Sequence, residues 1–317
     1  MEYVTGNYKL KDIFLDNGNW WKFFIKHRQF IKLNLIIQVL KMIVCRTWIL
    51  GYHIFECPKC GHTLKVSHSC KSRFCSPCGK KATDDWIKNS YNRLPNTIWQ
   101  HITFTMPDGL WPLFWSNTYL RGEAASIAAH VILDLAKTKK FLPGIFLAIH
   151  TFGRKLNRNL HIHLSTTLRG LSLSKDSWIN KTAFFHENPV KTLWKNRMIA
   201  FLRNEFKKGK LKMPPHLKYL GKYLKRPPIG ETRIKNYDGQ FVTFEFLDHY
   251  TGIKEILTLP VLDFIARLVD HIPDKGFRNI RYYGFLANRV SRELLPLVFG
   301  FLKKAIHLLK TKVYTPW

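Results

Sequence analysis

At 317 residues the chain has room for about two domains, and its 46% hydrophobic content excludes a disordered basic tail. Lys and Arg number 51 against 21 Asp and Glu, a formal charge of +30, while aromatic residues make up 14%. Basic charge spread along the length and interleaved with rings favours nucleic acid, above all single strands, over an acidic protein or a membrane surface. No run of about 20 apolar residues is present and no signal-like N-terminus is seen, so a cytoplasmic protein with reduced thiols is expected.

In chain order, the first 44 residues carry apolar positions at helical spacing: Trp20, Trp21, Phe24 and Ile25, then Phe30, Ile31, Leu33, Ile36, Ile37 and Leu40. All six cysteines follow between Cys45 and Cys78: Cys45, Cys57-Pro-Lys-Cys60, Cys70 and Cys75-Ser-Pro-Cys78. Two C-x-x-C knuckles joined by a short loop match the tetrahedral spacing of structural zinc, which folds small segments that lack a core. Cys57, Cys60, Cys75 and Cys78 are expected to close one site. Cys45, His53, His68 and Cys70 supply donors for a second, or the eight interleave otherwise. Lys71 and Arg73 sit among these donors and are candidate DNA contacts.

A helix from Lys81 to Arg93 is expected to close the zinc segment, and a strand over Trp99–Thr105 to open a second region. A helix from about Tyr119 to Lys139 follows, then strands over Gly144–Thr151 and Leu160–Thr167. Elements mixed without regular alternation indicate an α+β fold. On the last strand His161 and His163 share one face while Ile162 and Leu164 face the core. Paired imidazoles with open positions make a divalent-metal site, and His150 on the neighbouring strand is a candidate third ligand.

Farther on, Pro214-Pro215-His216-Leu-Lys-Tyr219-Leu-Gly-Lys-Tyr223-Leu-Lys-Arg226 reads as a short helix with Tyr219 and Tyr223 on one face. Lys222, Lys225 and Arg226 surround the two phenols. A phenol titrating near 10 is a weak nucleophile at neutral pH, and neighbouring cations or a metal-polarised phosphate are what make it competent. A hairpin over Phe241–Leu259 and helices from about Pro260 to His271 and from Ser291 towards Leu309 complete the pattern. Arg281 and Arg289 are placed to meet DNA phosphates.

The zinc motifs, the histidine pair and the tyrosine pair resemble, in order, the rolling-circle transposases of the insertion-sequence ninety-one type. Further stretches in the same order are His101-Ile-Thr-Phe-Thr-Met-Pro107, His150-Thr-Phe-Gly-Arg154 and Arg281-Tyr-Tyr-Gly-Phe-Leu-Ala-Asn-Arg289. Leu160 departs from the pattern, standing where a proline commonly precedes the histidine pair. The resemblance implies a helical and zinc-binding region over residues 1–93, then an HUH-type antiparallel sheet domain with flanking helices over 94–317. It implies a catalytic Mg²⁺ or Mn²⁺ on His161 and His163, one or two structural Zn²⁺, and attack by Tyr219 or Tyr223 to leave a 5′-phosphotyrosine. Single-stranded DNA at the element ends is the implied partner. No nucleotide cofactor or membrane is implied, and the setting is a nucleoid-associated protein of a bacterial or archaeal cytosol. An HUH replication initiator or relaxase would share the histidines and tyrosines without the zinc segment. A zinc-dependent DNA-binding regulator would have no use for the tyrosines.

Overall fold

The computed structural model describes residues 8–153, 155–211, 231–247 and 252–302. The helices α1 (Leu10–Leu15), α2 (Asn19–His27) and α3 (Leu33–Ile43) come first, then the hairpin strands β1 (Tyr52–Glu56) and β2 (Thr63–Ser67). Next are α4 (Ser76–Arg93), β3 (Trp99–Thr105), α5 (Trp111–Ser116), α6 (Tyr119–Thr138), β4 (Phe141–Leu142), β5 (Gly144–Phe152) and β6 (Arg158–Thr167). Short strands β7 (Gly170–Ser172) and β8 (Trp178–Ile179) lead into α7 (Glu187–Lys207). The chain continues with β9 (Ile234–Tyr237), β10 (Phe241–Leu247), β11 (Lys254–Pro260), α8 (Val261–Val269), β12 (Ile280–Gly284) and α9 (Ser291–Phe301). The fold is α+β, with antiparallel sheets.

The four-stranded sheet runs β12-β5-β6-β3, with every neighbouring pair antiparallel. Its strands alternate as the period of two requires. Ile145, Leu147 and Ile149 of β5 and Leu160, Ile162 and Leu164 of β6 are buried on one face. They pack against α6, whose Ala124, Ala125, Ala128 and Ala129 let helix and sheet approach closely. Each Leu or Ile buried there contributes about 1.5–3 kcal/mol. This single-sided core frees the opposite face to carry polar groups.

At one edge Gly284 of β12 pairs with Gly144 of β5. Gly284 has φ +61°, and a Cβ there would collide with the Pro143 carbonyl, while one on Gly144 would enter the Phe285 ring. Only glycine at both positions lets β12 turn off the sheet where it does.

A second core joins distant parts of the chain. Phe14, Trp20 and Val39 of the N-terminal helices and Cys75 and Cys78 pack with Val242, Phe244, Phe264 and Leu268 of the C-terminal hairpin and α8. The Asn19 amide donates to the Tyr237 hydroxyl at 2.8 Å, and Lys32 pairs with Asp274 at 2.7 Å. Arg158 at the start of β6 grips Asp270 just beyond α8 with two bonds, Nε at 2.6 Å and Nη2 at 3.3 Å. That pair fastens the second core to the end of the sheet where the histidines lie.

The helix expected from Lys81 begins at Ser76 instead, because Cys75 occupies the N-cap and Pro77 is tolerated in a first turn. α7, β12 and the hairpin β1–β2 have no counterpart among the expected elements. β1 is exposed along its whole length and β2 nearly so, so they show no alternation to read.

Candidate functional site

Four thiols converge at the foot of the hairpin. Cys45, Cys70, Cys75 and Cys78 each offer a sulfur within 4.8 Å of the others. Cys75 caps α4 and Cys78 lies in its first turn, where the helix dipole favours thiolate. Residues immediately after two of the ligands, Arg46 and Lys71, have left-handed backbones, φ +59° and +52°. The Lys71 turn aims Ser72 N at Cys70 Sγ, 3.4 Å away, and Cys70 N lies 3.4 Å from Cys45 Sγ. Behind the loop, Ser72 Oγ donates to Gln38 at 2.7 Å and Phe74 packs edge-on against Phe14.

Burial pushes the Cys70 thiol up to about 12 and raises Cys75 as well. Cys78 also feels burial, but sulfur contacts at 3.6 Å from Cys45 and Cys70 outweigh it and hold Cys78 below the ordinary thiol range. A closed set of four soft donors fits Zn²⁺.

This foursome corrects the expected ligand pairing. Cys57 and Cys60 do not join Cys75 and Cys78. They sit at the hairpin tip, where Cys57 N bonds the His62 carbonyl, while His68 N bonds the Gly51 carbonyl at the base. The five strand residues of β1 separate Cys57 at the tip from Gly51 at the base, six residue steps or about 20 Å. Nor do His53 and His68 join Cys45 and Cys70. Their rings lie 4.5 Å apart on the hairpin, and His68 Nδ1 bonds the Leu50 carbonyl at 2.8 Å. Sequence spacing alone assigns neighbours along the chain, whereas the hairpin carries the middle knuckle away and lets Cys45 fold back.

The second cluster lies on the free face of the sheet. His150 of β5 pairs with His161 of β6 in register, and His163 follows on the same face. The three rings have centroids 4.6–5.2 Å apart, and each offers a nitrogen within 4.8 Å of the others. His161 Nδ1 donates to the backbone carbonyl of Asn159 and to its side-chain oxygen, both at 3.1 Å. Its proton is thus held on Nδ1 and its lone pair on Nε2. His163 Nδ1 meets His101 Nε2 at 3.1 Å and Thr103 Oγ1 at 3.4 Å, and His101 Nδ1 meets Ser165 Oγ at 3.3 Å.

His101 and Asn159 orient two of the three imidazoles, and the sequence motifs alone assign neither to the site. A signal is nonetheless present: His101 and Thr103 have the strand's even spacing, and the register sets Thr103 opposite His163. Phe152 stacks on His150 with centroids 5.6 Å apart, and buried His271 supports Phe152 from behind at 5.1 Å. Three imidazoles are fewer donors than a closed structural site supplies, which fits a catalytic divalent ion better than a structural one.

α4 joins the two clusters. Eight residues beyond Cys78, Trp86 packs edge-on against Phe146 of β5 and donates its indole N–H to the Tyr282 hydroxyl at 3.2 Å. Arg93 lies over the Tyr282 ring, 4.3 Å from its centroid. Phe146 and Tyr282 occupy the histidine face, so this helix covers its far end. Lys71 and Arg73 are exposed on the knot's outer loop, Arg289 is exposed after β12, and Arg281 donates to the Gly122 carbonyl at 3.2 Å. Tyr219, Tyr223, Lys222, Lys225 and Arg226 lie outside the described residues. Among the described residues, no helix is long and apolar enough to cross a membrane.

A thiol knot beside an open histidine face defines a zinc-segmented protein with a separate, metal-competent sheet. A family model described as a transposase zinc-binding domain matches residues 18–106, and one described as a putative transposase matches 144–216 and 212–293. The transposase for insertion sequence element IS801 of Pseudomonas savastanoi pv. phaseolicola is 38% identical over 306 residues, covering 84% of this chain and 74% of that protein. The putative transposase y4qJ of Sinorhizobium fredii is 28% identical over 297 residues, covering 80% and 74%. No solved structure matches. The chain belongs to the family of insertion-sequence ninety-one type transposases.

Proposed function

We propose that the protein cuts and rejoins single-stranded DNA by tyrosine transesterification, in a rolling-circle transposition. One observation carries the reading: three imidazoles from adjacent strands converge on one sheet face, two of them with Nδ1 already engaged. His150, His161 and His163 hold Mg²⁺ or Mn²⁺ there, and imidazole donors suit Mn²⁺ better of the two. When bound, the ion supplies Lewis-acid polarisation of the scissile phosphate. Asn159 and His101 keep the rings from rotating, so the face is organised before substrate arrives.

Tyr219 or Tyr223 is the nucleophile. Its phenolic oxygen bonds to phosphorus as the bond to the 3′ oxygen breaks, and the phenol proton passes to solvent or the leaving oxygen. The phosphotyrosine conserves the phosphodiester's energy, so rejoining needs no nucleotide cofactor. The second tyrosine lets one strand end be held while another is cut. The four-cysteine knot carries structural zinc. With Lys71 and Arg73 it grips an element end, while Lys222, Lys225, Arg226, Arg281 and Arg289 neutralise phosphates. In this reading residues 1–93 form the end-recognition region and 94–317 the catalytic one, acting in a cytoplasm.

The test uses labelled single-stranded oligonucleotides bearing element-end sequences, incubated with the full chain and Mn²⁺ and run on a denaturing gel. A covalent adduct is expected, lost when Tyr219 and Tyr223 are both changed to Phe. An adduct that survives the double change sinks the reading, as does none with any end sequence.

A further inference from the structure

The histidine face is not the only surface of the sheet suited to DNA. β12 ends the strand order, and beside its free edge runs a groove of about 830 Å³. Arg281 and Tyr283 of β12 face the α6 side, since they pair with core-facing Leu147 and Ile145. Arg281 reaches the Gly122 carbonyl of α6, and Tyr283 meets the exposed His130 ring of the same helix edge-on, 6.3 Å between centroids. Lys175, Arg278 and Arg289 line the same groove, and all three are exposed. Among the described residues no Asp or Glu lines it, and no salt bridge there involves these three cations.

Four cations and two accessible rings without a carboxylate form the pattern that binds a single strand, with phosphates on the cations and bases on the rings. An acidic peptide would use the charges, but it would leave the rings without a role. The groove follows β12 along the sheet edge, lined by residues of both its faces, whereas the histidine cluster stands on the two central strands β5 and β6.

We propose that this groove, with Lys175, Arg278, Arg281 and Arg289 as phosphate contacts and Tyr283 as a stacking platform, holds a single-stranded DNA segment away from the reacting phosphate. The inference rests on the reading of the chain as a single-strand enzyme. It adds a second strand position at the edge of the catalytic sheet, where one DNA end waits while the other is joined.

The test is binding of a fluorescent oligothymidine to the full-length protein in EDTA, where no cutting occurs, over a range of salt. The triple variant Lys175→Ala, Arg278→Ala, Arg289→Ala is expected to bind about tenfold more weakly. Its log–log salt slope should be shallower by about 2, at about 0.7 for each phosphate no longer neutralised. Single variants Lys175→Ala and Arg289→Ala should each flatten the slope by about 0.7, which covers a triple variant that folds poorly. Tyr283→Ala should weaken single-strand binding at least about fivefold without changing the slope, and leave duplex binding untouched.

A control removing Lys191, Lys195 and Lys207, exposed on α7, guards against a general charge effect. If the control weakens binding as much as the groove variant, or if the groove variants keep the wild-type slope, the proposal is overturned. Equal losses on duplex and single strand for Tyr283→Ala also overturn it. Because the assay needs no chemistry, a wild-type protein that forms no adduct but shows the expected slopes removes the transposition reading and leaves the groove standing.

Discussion

The thiol knot and the histidine face differ first in how their donors are assembled. Cys45, Cys75 and Cys78 are buried in a hydrophobic core with Cys70 half-buried beside them, whereas buried His161 and half-buried His150 and His163 stand on the polar face of a sheet. The knot's donors come from two loops and the first turn of α4, segments that meet through the core and a few backbone N–H contacts to sulfur. The imidazoles come from two paired strands, which fix their spacing through the backbone. One region gathers its donors from separate segments; the other carries them on a sheet that pairing already fixes. Position in the fold, more than ligand count, thus separates the two donor sets.

The largest expected effect falls on the knot. Cys75→Ser or Cys78→Ser should remove one equivalent of zinc and lower the melting midpoint by at least ~10 °C, read by metal analysis and thermal unfolding. Cys57→Ser, at the hairpin tip, should leave that equivalent in place. If it strips the same zinc as Cys75→Ser, the four-cysteine grouping is broken. On the histidine side the pattern should reverse. His163→Ala is expected to slow adduct formation by roughly a thousandfold while moving the melting midpoint by no more than about 4 °C. A collapse of stability in that variant would mean that the two regions are alike after all.

A smaller effect sharpens the contrast. His101→Ala should weaken Mn²⁺ dependence of adduct formation by about 10–100-fold, with the maximal rate restored by excess ion. A lowered maximal rate at an unchanged metal midpoint would give His101 another role. The smallest effect is on acid stability. Burial holds His271 neutral, down to about 4. An unfolded histidine titrates near 6.5, so between the two values the unfolded chain binds more protons. Stability should therefore fall as the pH drops through that window, by about 1.4 kcal/mol per pH unit for this one group. His271→Asn should flatten the melting-versus-pH curve by about one proton there and leave it unchanged above pH 7.

Much of the sheet is legible in the sequence because its signals are local. The alternation in Ile145–Ile149 and Leu160–Leu164 specifies strand and face together, and so sets His161 beside His163 from the residue order alone. His150 comes within reach because its strand is adjacent in sequence. The cysteine grouping is not legible, since it depends on a hairpin whose exposed strands show no burial pattern. β12 escapes detection as a strand for a related reason. All five of its residues are half-buried, and its partner lies more than 130 residues earlier in the chain. What sequence spacing misses here is contact between segments that are far apart along the chain.

That long-range pairing has a consequence for how the protein is made. A chain leaving the ribosome has its histidines by residue 163, yet the edge strand that borders β5 and anchors Trp86 of α4 arrives only at Ile280–Gly284. Because domains emerge N-terminal part first, the sheet waits for nearly the whole message to be read. A copy of the gene interrupted downstream of the tyrosines would still encode every residue assigned to chemistry, but its product would lack the strand on which α4 docks.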